Sequence, residues 1–89
     1  MVPVHPGRIL KRELVARGLS ANRLALALRL PFGEVNGKRS ISAESALRLG
    51  RYFGNSAQFW MNLQTAFELA VAERDIGDRV NAEVTPDAA

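Results

Sequence analysis

Cysteine is absent from the 89 residues, which excludes a disulfide framework, a thiolate metal site and a thiol nucleophile. Histidine occurs once, as His5 beside Pro6. A lone histidine there reads as a capping or surface residue rather than a base. The acidic residues are scattered, with no spacing that sets two carboxylates on one face of a cleft. There is no glycine-rich phosphate loop after a strand and no cluster of metal ligands. The chain therefore reads as a non-enzyme, with no catalytic residue, no metal site and no cofactor. No apolar run approaches the roughly 20 residues of a membrane span, and no signal-peptide pattern opens the chain, so the simplest compartment is the cytoplasm. Internal repeats and low-complexity tracts are also lacking. What remains is one small domain, 47% hydrophobic, with a modest core that oligomerisation would supplement.

Charge is divided along the chain. Residues 1–54 hold ten Lys or Arg against three acids, a net +7, and residues 55–89 hold two against six, a net −4. The front half suits a polyanion. The acidic end suits a protein partner or solvent.

The stretch from Ser20 to Ser42 organises the rest. Ser20 is placed to cap a helix, since its hydroxyl accepts from an orphan N–H of the first turn. Leu24 and Leu28, four apart with Ala25 and Ala27 between, give that helix an apolar face. Leu30-Pro31 stops it, because proline restricts the residue before it. Phe32 to Val35 supplies a short second helix, Asn36-Gly37 ends it, and Lys38-Arg39-Ser40 forms a donor-rich loop. This is the order of a helix-turn-helix that reads DNA. An ordinary pair of core helices with a solvated basic loop is the plainer alternative.

Before this stretch, Met1 to His5 is expected to be extended. A first helix runs from Pro6, which fits an N-terminal turn, to about Arg17, with Gly18 as its C-terminal cap. Ile9, Leu10 and Leu14 face inward, and Leu19 packs under the turn. After the loop, Ser42 caps a helix whose first turn holds Glu44. Ala46, Leu49, Gly50 and Phe53 make its buried stripe, widened by Leu47, and Gly54 ends it. The last helix is expected over about 57–74. Phe59, Trp60, Leu63, Phe67 and Ala70 form one stripe, while Met61, Leu69 and Val71 lie off it, as a second apolar face for another chain would. The remaining residues, with Ile76, Val80 and Val84 four apart, extend this helix or form a short extra one. Disorder is expected from Thr85.

Together the motifs Val4-His5-Pro6-Gly7 with Ile9-Leu10, Gly18-Leu19-Ser20, Val35-Asn36-Gly37-Lys38-Arg39, Ile41-Ser42-Ala43 with Ala46-Leu47-Arg48-Leu49, and Phe59-Trp60-Met61-Asn62-Leu63-Gln64 resemble the HigA/VapI antitoxin family. The likeness covers about residues 4–72. It implies an all-α, five-helix, lambda-repressor-like domain over 1–74, followed by an acidic C-terminal extension over 75–89, partly disordered. It implies a homodimeric repressor of the Xre helix-turn-helix type. Such a protein binds double-stranded operator DNA of its own operon and neutralises a RelE/HigB-like mRNA-endonuclease toxin.

On this resemblance Ser20 touches phosphate through its hydroxyl and helix N-terminus, and Arg23 touches backbone or a base edge. Phe32, Asn36, Lys38, Arg39 and Ser40 complete the DNA set, the last four as the loop that holds phosphates. Trp60 and Leu63 build the core. Met61, Leu69, Ile76 and Val80 are the expected dimer interface. Glu68, Glu73, Asp75 and Asp78 are expected to meet a basic toxin.

One departure stands out. Between Leu30-Pro31 and Val35-Asn36-Gly37 the family usually has about four more residues, including an Arg or Asn that reads bases. Here only Phe32-Gly33-Glu34 intervenes, with Glu34 facing phosphates unfavourably and Gly33 weakening the helix. Since every supporting part is kept and only the reading part lost, the expectation is that residues are absent between Leu30 and Asn36. A true shortening leaves only non-specific, salt-sensitive binding. Two other functions stay open: a solitary Xre-type regulator without a toxin, and a partner-sequestering module that has lost specific DNA binding.

Overall fold

The structure, a computed structural model, describes residues 4–88 as five helices, with no strand among them. These are α1 (Pro6–Arg17), α2 (Ala21–Leu28), α3 (Phe32–Val35), α4 (Ala43–Phe53) and α5 (Ala57–Glu83). The expected all-α, five-helix architecture is what the chain adopts. The extended start expected for Met1 to Pro3 lies outside the described residues. Among the described residues no helix is long and apolar enough to cross a membrane.

Capping chemistry sets most boundaries. Ser20, Ser42 and Ser56 sit at the N-caps of α2, α4 and α5, and each side chain accepts from the backbone N–H three residues on. Gly18 and Gly54 close α1 and α4 in the left-handed region, at φ 67° and 75°. His5 caps α1 through Nδ1, which accepts from the Gly7 N–H at 2.8 Å, with Pro6 at the first helical position. Of the two roles expected of the only histidine, capping or surface residue, it takes the first.

The core gathers Leu10 and Leu14 of α1, Leu24, Ala25 and Leu28 of α2, Val35 of α3, Ala46 and Leu49 of α4 and Trp60 of α5, with Leu30 and Ile41 from the segments that flank α3 and its loop. Trp60 is buried, and its Nε1–H donates to Asn55 Oδ1 at 2.8 Å. Leu19 and Leu63 pack against this cluster as expected. Gly50 lets α5 start against α4, since a Cβ there would meet the Ala57 nitrogen at 2.8 Å.

Three expectations are corrected, and one open alternative is decided. Leu47 does not widen the α4 stripe; it is exposed on the outer side. Phe59 is 42% exposed and reaches only the edge of Trp60, because it sits one residue before the buried position. Of the two readings left open beyond Arg74, an extension of the last helix or a short extra one, the chain takes the first, with α5 unbroken to Glu83 and no proline intervening before Pro86. The chain also passes from Leu30 to Asn36 without a break. Glu34 N donates to the Pro31 carbonyl at 3.1 Å and Asn36 N to the Phe32 carbonyl at 3.0 Å, so α3 is a closed single turn, with no residues absent there.

Candidate nucleic-acid interface

The helix-turn-helix is built on α2. Its N-cap Ser20 accepts the Arg23 N–H at 3.1 Å, leaving its hydroxyl hydrogen free to donate outward. Arg23 is exposed one turn in. The turn after α2 is made without glycine. Arg29 takes φ 57°, the sole positive φ outside glycine among the described residues, and Leu30 N donates to the Ala25 carbonyl at 2.8 Å. Arg48 of α4 donates to the Leu28 carbonyl at 3.3 Å and so meets an orphan acceptor at the end of α2.

Glu34 does not face phosphate. It is 4% exposed, turned inward from α3 onto the start of α4. Oε1 accepts from the Ser42 N–H and Oε2 from the Ser45 hydroxyl, both at 2.7 Å. A carboxylate at a helix N-terminus is favoured by the dipole and by unpaired N–H groups. The glutamate that seemed to oppose DNA therefore fixes the angle between α3 and α4. With Glu34 and Val35 inside, α3 offers outward only Phe32, half exposed, and Gly33.

The loop over residues 36–40 is held from four sides. Asn36 Oδ1 accepts from the Lys38 N–H at 3.1 Å. The Lys38 and Arg39 N–H groups both donate to the Gly33 carbonyl at 2.9 Å. His5 Nε2 lies 3.1 Å from the Arg39 carbonyl. Since Nδ1 already accepts from Gly7, Nε2 carries the proton and donates. The His5 ring meets Phe67 of α5 edge-on at 5.0 Å. Gly7 and Gly37 allow this contact between α1 and the loop, because a Cβ on Gly7 would lie 2.9 Å from the Gly37 backbone. On the far side, Ser40 donates to Glu68 at 3.0 Å, and Gln64, buried, accepts the Ile41 N–H at 2.8 Å.

The sequence-predicted DNA residues Ser20, Arg23, Phe32, Asn36, Lys38, Arg39 and Ser40 are therefore all exposed and lie on α2, α3 and the loop that follows. Two differ in what they do locally. Asn36 spends its side-chain oxygen on the turn, and Ser40 spends its hydroxyl hydrogen on Glu68. His5 and Glu34 were missed. His5 read as a capping or surface residue, but nothing local signalled its reach across 34 residues.

On α5, Leu69, Ile76 and Val80 share one exposed face, opposite the face of Trp60 and Gln64 at 100° per residue. Met61 is not part of it. It is half-buried and packs on the core, in the monomer. Glu68 and Asp75, seven apart, share an edge of the helix, Asp78 lies nearby, and Glu73 instead flanks the apolar face. Asp75 pairs with Arg74 at 3.0 Å. Among the described residues no group of three or more His, Cys, Asp or Glu is set to hold a metal.

No protein-family model matches the chain. Among curated proteins, Virulence-associated protein I of Dichelobacter nodosus is 49% identical over 80 residues, covering 84% of this chain and 74% of the relative. The chain belongs to the HigA/VapI family of helix-turn-helix antitoxins. Among solved structures, an addiction-module antidote protein of the HigA family from Coxiella burnetii superimposes with a TM-score of 0.89 at 43% identity, covering 98% of this chain and 100% of that one. The Pseudomonas aeruginosa antitoxin HigA, solved with the higBA promoter, gives 0.86 at 46% identity, covering 94% and 97%. The likeness to the Dichelobacter protein runs over 80 positions but takes up 84% of the 89 residues, so about five positions of that relative have no counterpart here.

Proposed function

We propose that this protein is the antitoxin of a type II toxin–antitoxin module. It binds operator DNA of its own operon as a homodimeric repressor, and it binds and neutralises a small RelE/HigB-like mRNA endonuclease. The observation that carries the DNA reading is the helix-turn-helix with its basic loop, in a chain 46% identical to an antitoxin solved with promoter DNA. Ser20 and Lys38 hold phosphates on either side of α3, and the +7 front half supplies the long-range attraction. Two-fold symmetric half-sites require two such heads, and the exposed face of Leu69, Ile76 and Val80 on α5 provides the surface that joins them.

The test has two arms. A duplex from upstream of the chain's own reading frame is titrated by fluorescence anisotropy at several salt concentrations. Lys38→Ala should weaken binding alike on all sequences and lower the salt slope by about one. In the second arm, the product of an adjacent reading frame for a small basic protein is expressed with and without this chain, and growth is scored. No binding at low salt sinks the repressor reading, and no rescue leaves a solitary regulator.

The one-turn α3 favours a second reading, in which the protein sequesters its partner and binds DNA without sequence preference. An equal affinity for the upstream duplex and a scrambled one selects it.

A further inference from the structure

We propose that Arg39 is the residue that reads sequence, taking a guanine edge in the major groove from the loop rather than from the recognition helix. This rests on the reading of the protein as an operator binder. A helix that discriminates bases presents donors and acceptors to the groove floor, and α3 presents none. Its outward residues are Phe32 and Gly33, and Glu34 is turned inward and occupied by Ser42 and Ser45. A phenylalanine offers apolar contact with a thymine methyl but no hydrogen bond.

Arg39 fills that vacancy sterically. A Cβ added at Gly33 would lie 2.7 Å from Arg39 Cδ and 2.9 Å from its Cγ. The arginine stem therefore runs across the outer face of α3, through the space in which any other residue at 33 would place its side chain. The glycine that weakens the helix is what admits it.

The backbone of Arg39 is also fixed at both ends. Its N–H donates to the Gly33 carbonyl at 2.9 Å, and its carbonyl accepts from His5 at 3.1 Å. A flexible loop arginine suits any phosphate. One anchored at both backbone groups, with its stem laid along α3, delivers its planar fork to a defined place. That is what bidentate contact with guanine O6 and N7 requires. Lys38 beside it is exposed with its N–H held, and it remains the phosphate contact.

The experiment is a selection from a pool of random-sequence duplexes, followed by affinity measurements on the recovered site and on the same site with each guanine pair replaced. The parent protein should recover a guanine-containing site and discriminate against one replacement by about 10- to 100-fold. Arg39→Lys keeps the charge but loses the fork, and discrimination at that pair should fall to about twofold while non-specific affinity stays close to the parent's. Gly33→Ala keeps every charge and only displaces the stem, so it should lose the same discrimination with an unchanged salt slope. Lys38→Ala should weaken all duplexes alike and keep the discrimination. The proposal is overturned if Arg39→Lys discriminates as the parent does, or if the parent recovers no preferred site while still binding duplexes in a salt-dependent way. Should the folded protein bind no duplex at low salt, it is the operator-binding reading that fails.

Discussion

The Ser40 hydroxyl donates to the Glu68 carboxylate at 3.0 Å, joining the basic loop to the middle of α5. Two surfaces that the sequence assigned to different partners, DNA for Ser40 and a toxin for Glu68, thus meet at one hydrogen bond. A carboxylate so close to the loop opposes phosphate there. Glu68→Gln keeps an acceptor for Ser40 and removes the charge. DNA affinity should rise about two- to fivefold at low salt, and the gain should fade as salt approaches 1 M, where the Debye length shrinks to about 3 Å. Anisotropy titrations at three salt concentrations measure it. An equal gain at all of them would mean that the charge acts through structure rather than through the field.

Glu34 should matter for stability out of proportion to its place on a four-residue helix. Its carboxylate is buried and meets two donors at 2.7 Å. Glu34→Ala strands the Ser42 N–H and the Ser45 hydroxyl, and a loss of about 2–3 kcal/mol is expected. For a chain of this size that lowers Tm by roughly 10–20 °C. Glu34→Gln retains one acceptor oxygen and should lose less. Thermal unfolding followed by circular dichroism decides, and a Glu34→Ala variant as stable as the parent would show that the two serines find other partners.

The caps and stops were legible because one residue's chemistry decides each: Ser20, Ser42, Gly18 and Gly54 stand where the sequence put them. The buried stripes of α1, α2 and α4 followed from spacing for the same reason. What the sequence hid was set by distant residues. Glu34 reads as a surface acid until Ser42 and Ser45 are folded against it. Arg29 reads as a basic side chain and not as the left-handed corner of the turn. Leu47 continues an apolar run but lies past the edge of what α2 and α5 cover. The end of α5 was ambiguous because residues 75–83 contain no strong stop and are exposed apart from half-buried Gly77. At the candidate interface the exposed set was legible from motif order, whereas the packing of Arg39 over Gly33 depends on a loop closing back on α3.

The exposed α5 face should carry self-association. Leu69 is 65% exposed, Ile76 39% and Val80 44%, all on one side of α5. Fully burying one such side chain yields about 1.5–3 kcal/mol, and two-fold symmetry counts each substitution twice. Ile76→Asp should weaken the dimer at least a hundredfold. Met61→Ala, on the core side, should lower stability by about 1 kcal/mol and leave association unchanged. Light scattering from micromolar to millimolar protein measures both. A parent that stays monomeric throughout removes the dimer, and a Met61→Ala variant that dissociates moves the interface to the other side of α5.

Toxin capture should depend on charge through its rate. An mRNA endonuclease must hold a polyanion and is expected to be basic, while residues 55–89 carry a net −4. Glu68, Glu73, Asp75 and Asp78 are exposed along eleven residues of α5, Glu68 beside the basic loop and the other three further along the helix. Exposed charges of this kind steer encounter more than they hold a complex together. Replacing all four by their amides should slow association about tenfold at low salt and change dissociation little. Glu73 and Asp75 make a sharper comparison. Glu73 flanks the apolar face that a second copy would cover, so its share of the effect should be smaller than that of Asp75. Stopped-flow mixing with the purified toxin gives both rates. Association as fast for the fourfold variant as for the parent would place the toxin away from the acidic half of α5, and a loss confined to dissociation would mean that the carboxylates make direct, buried contacts instead.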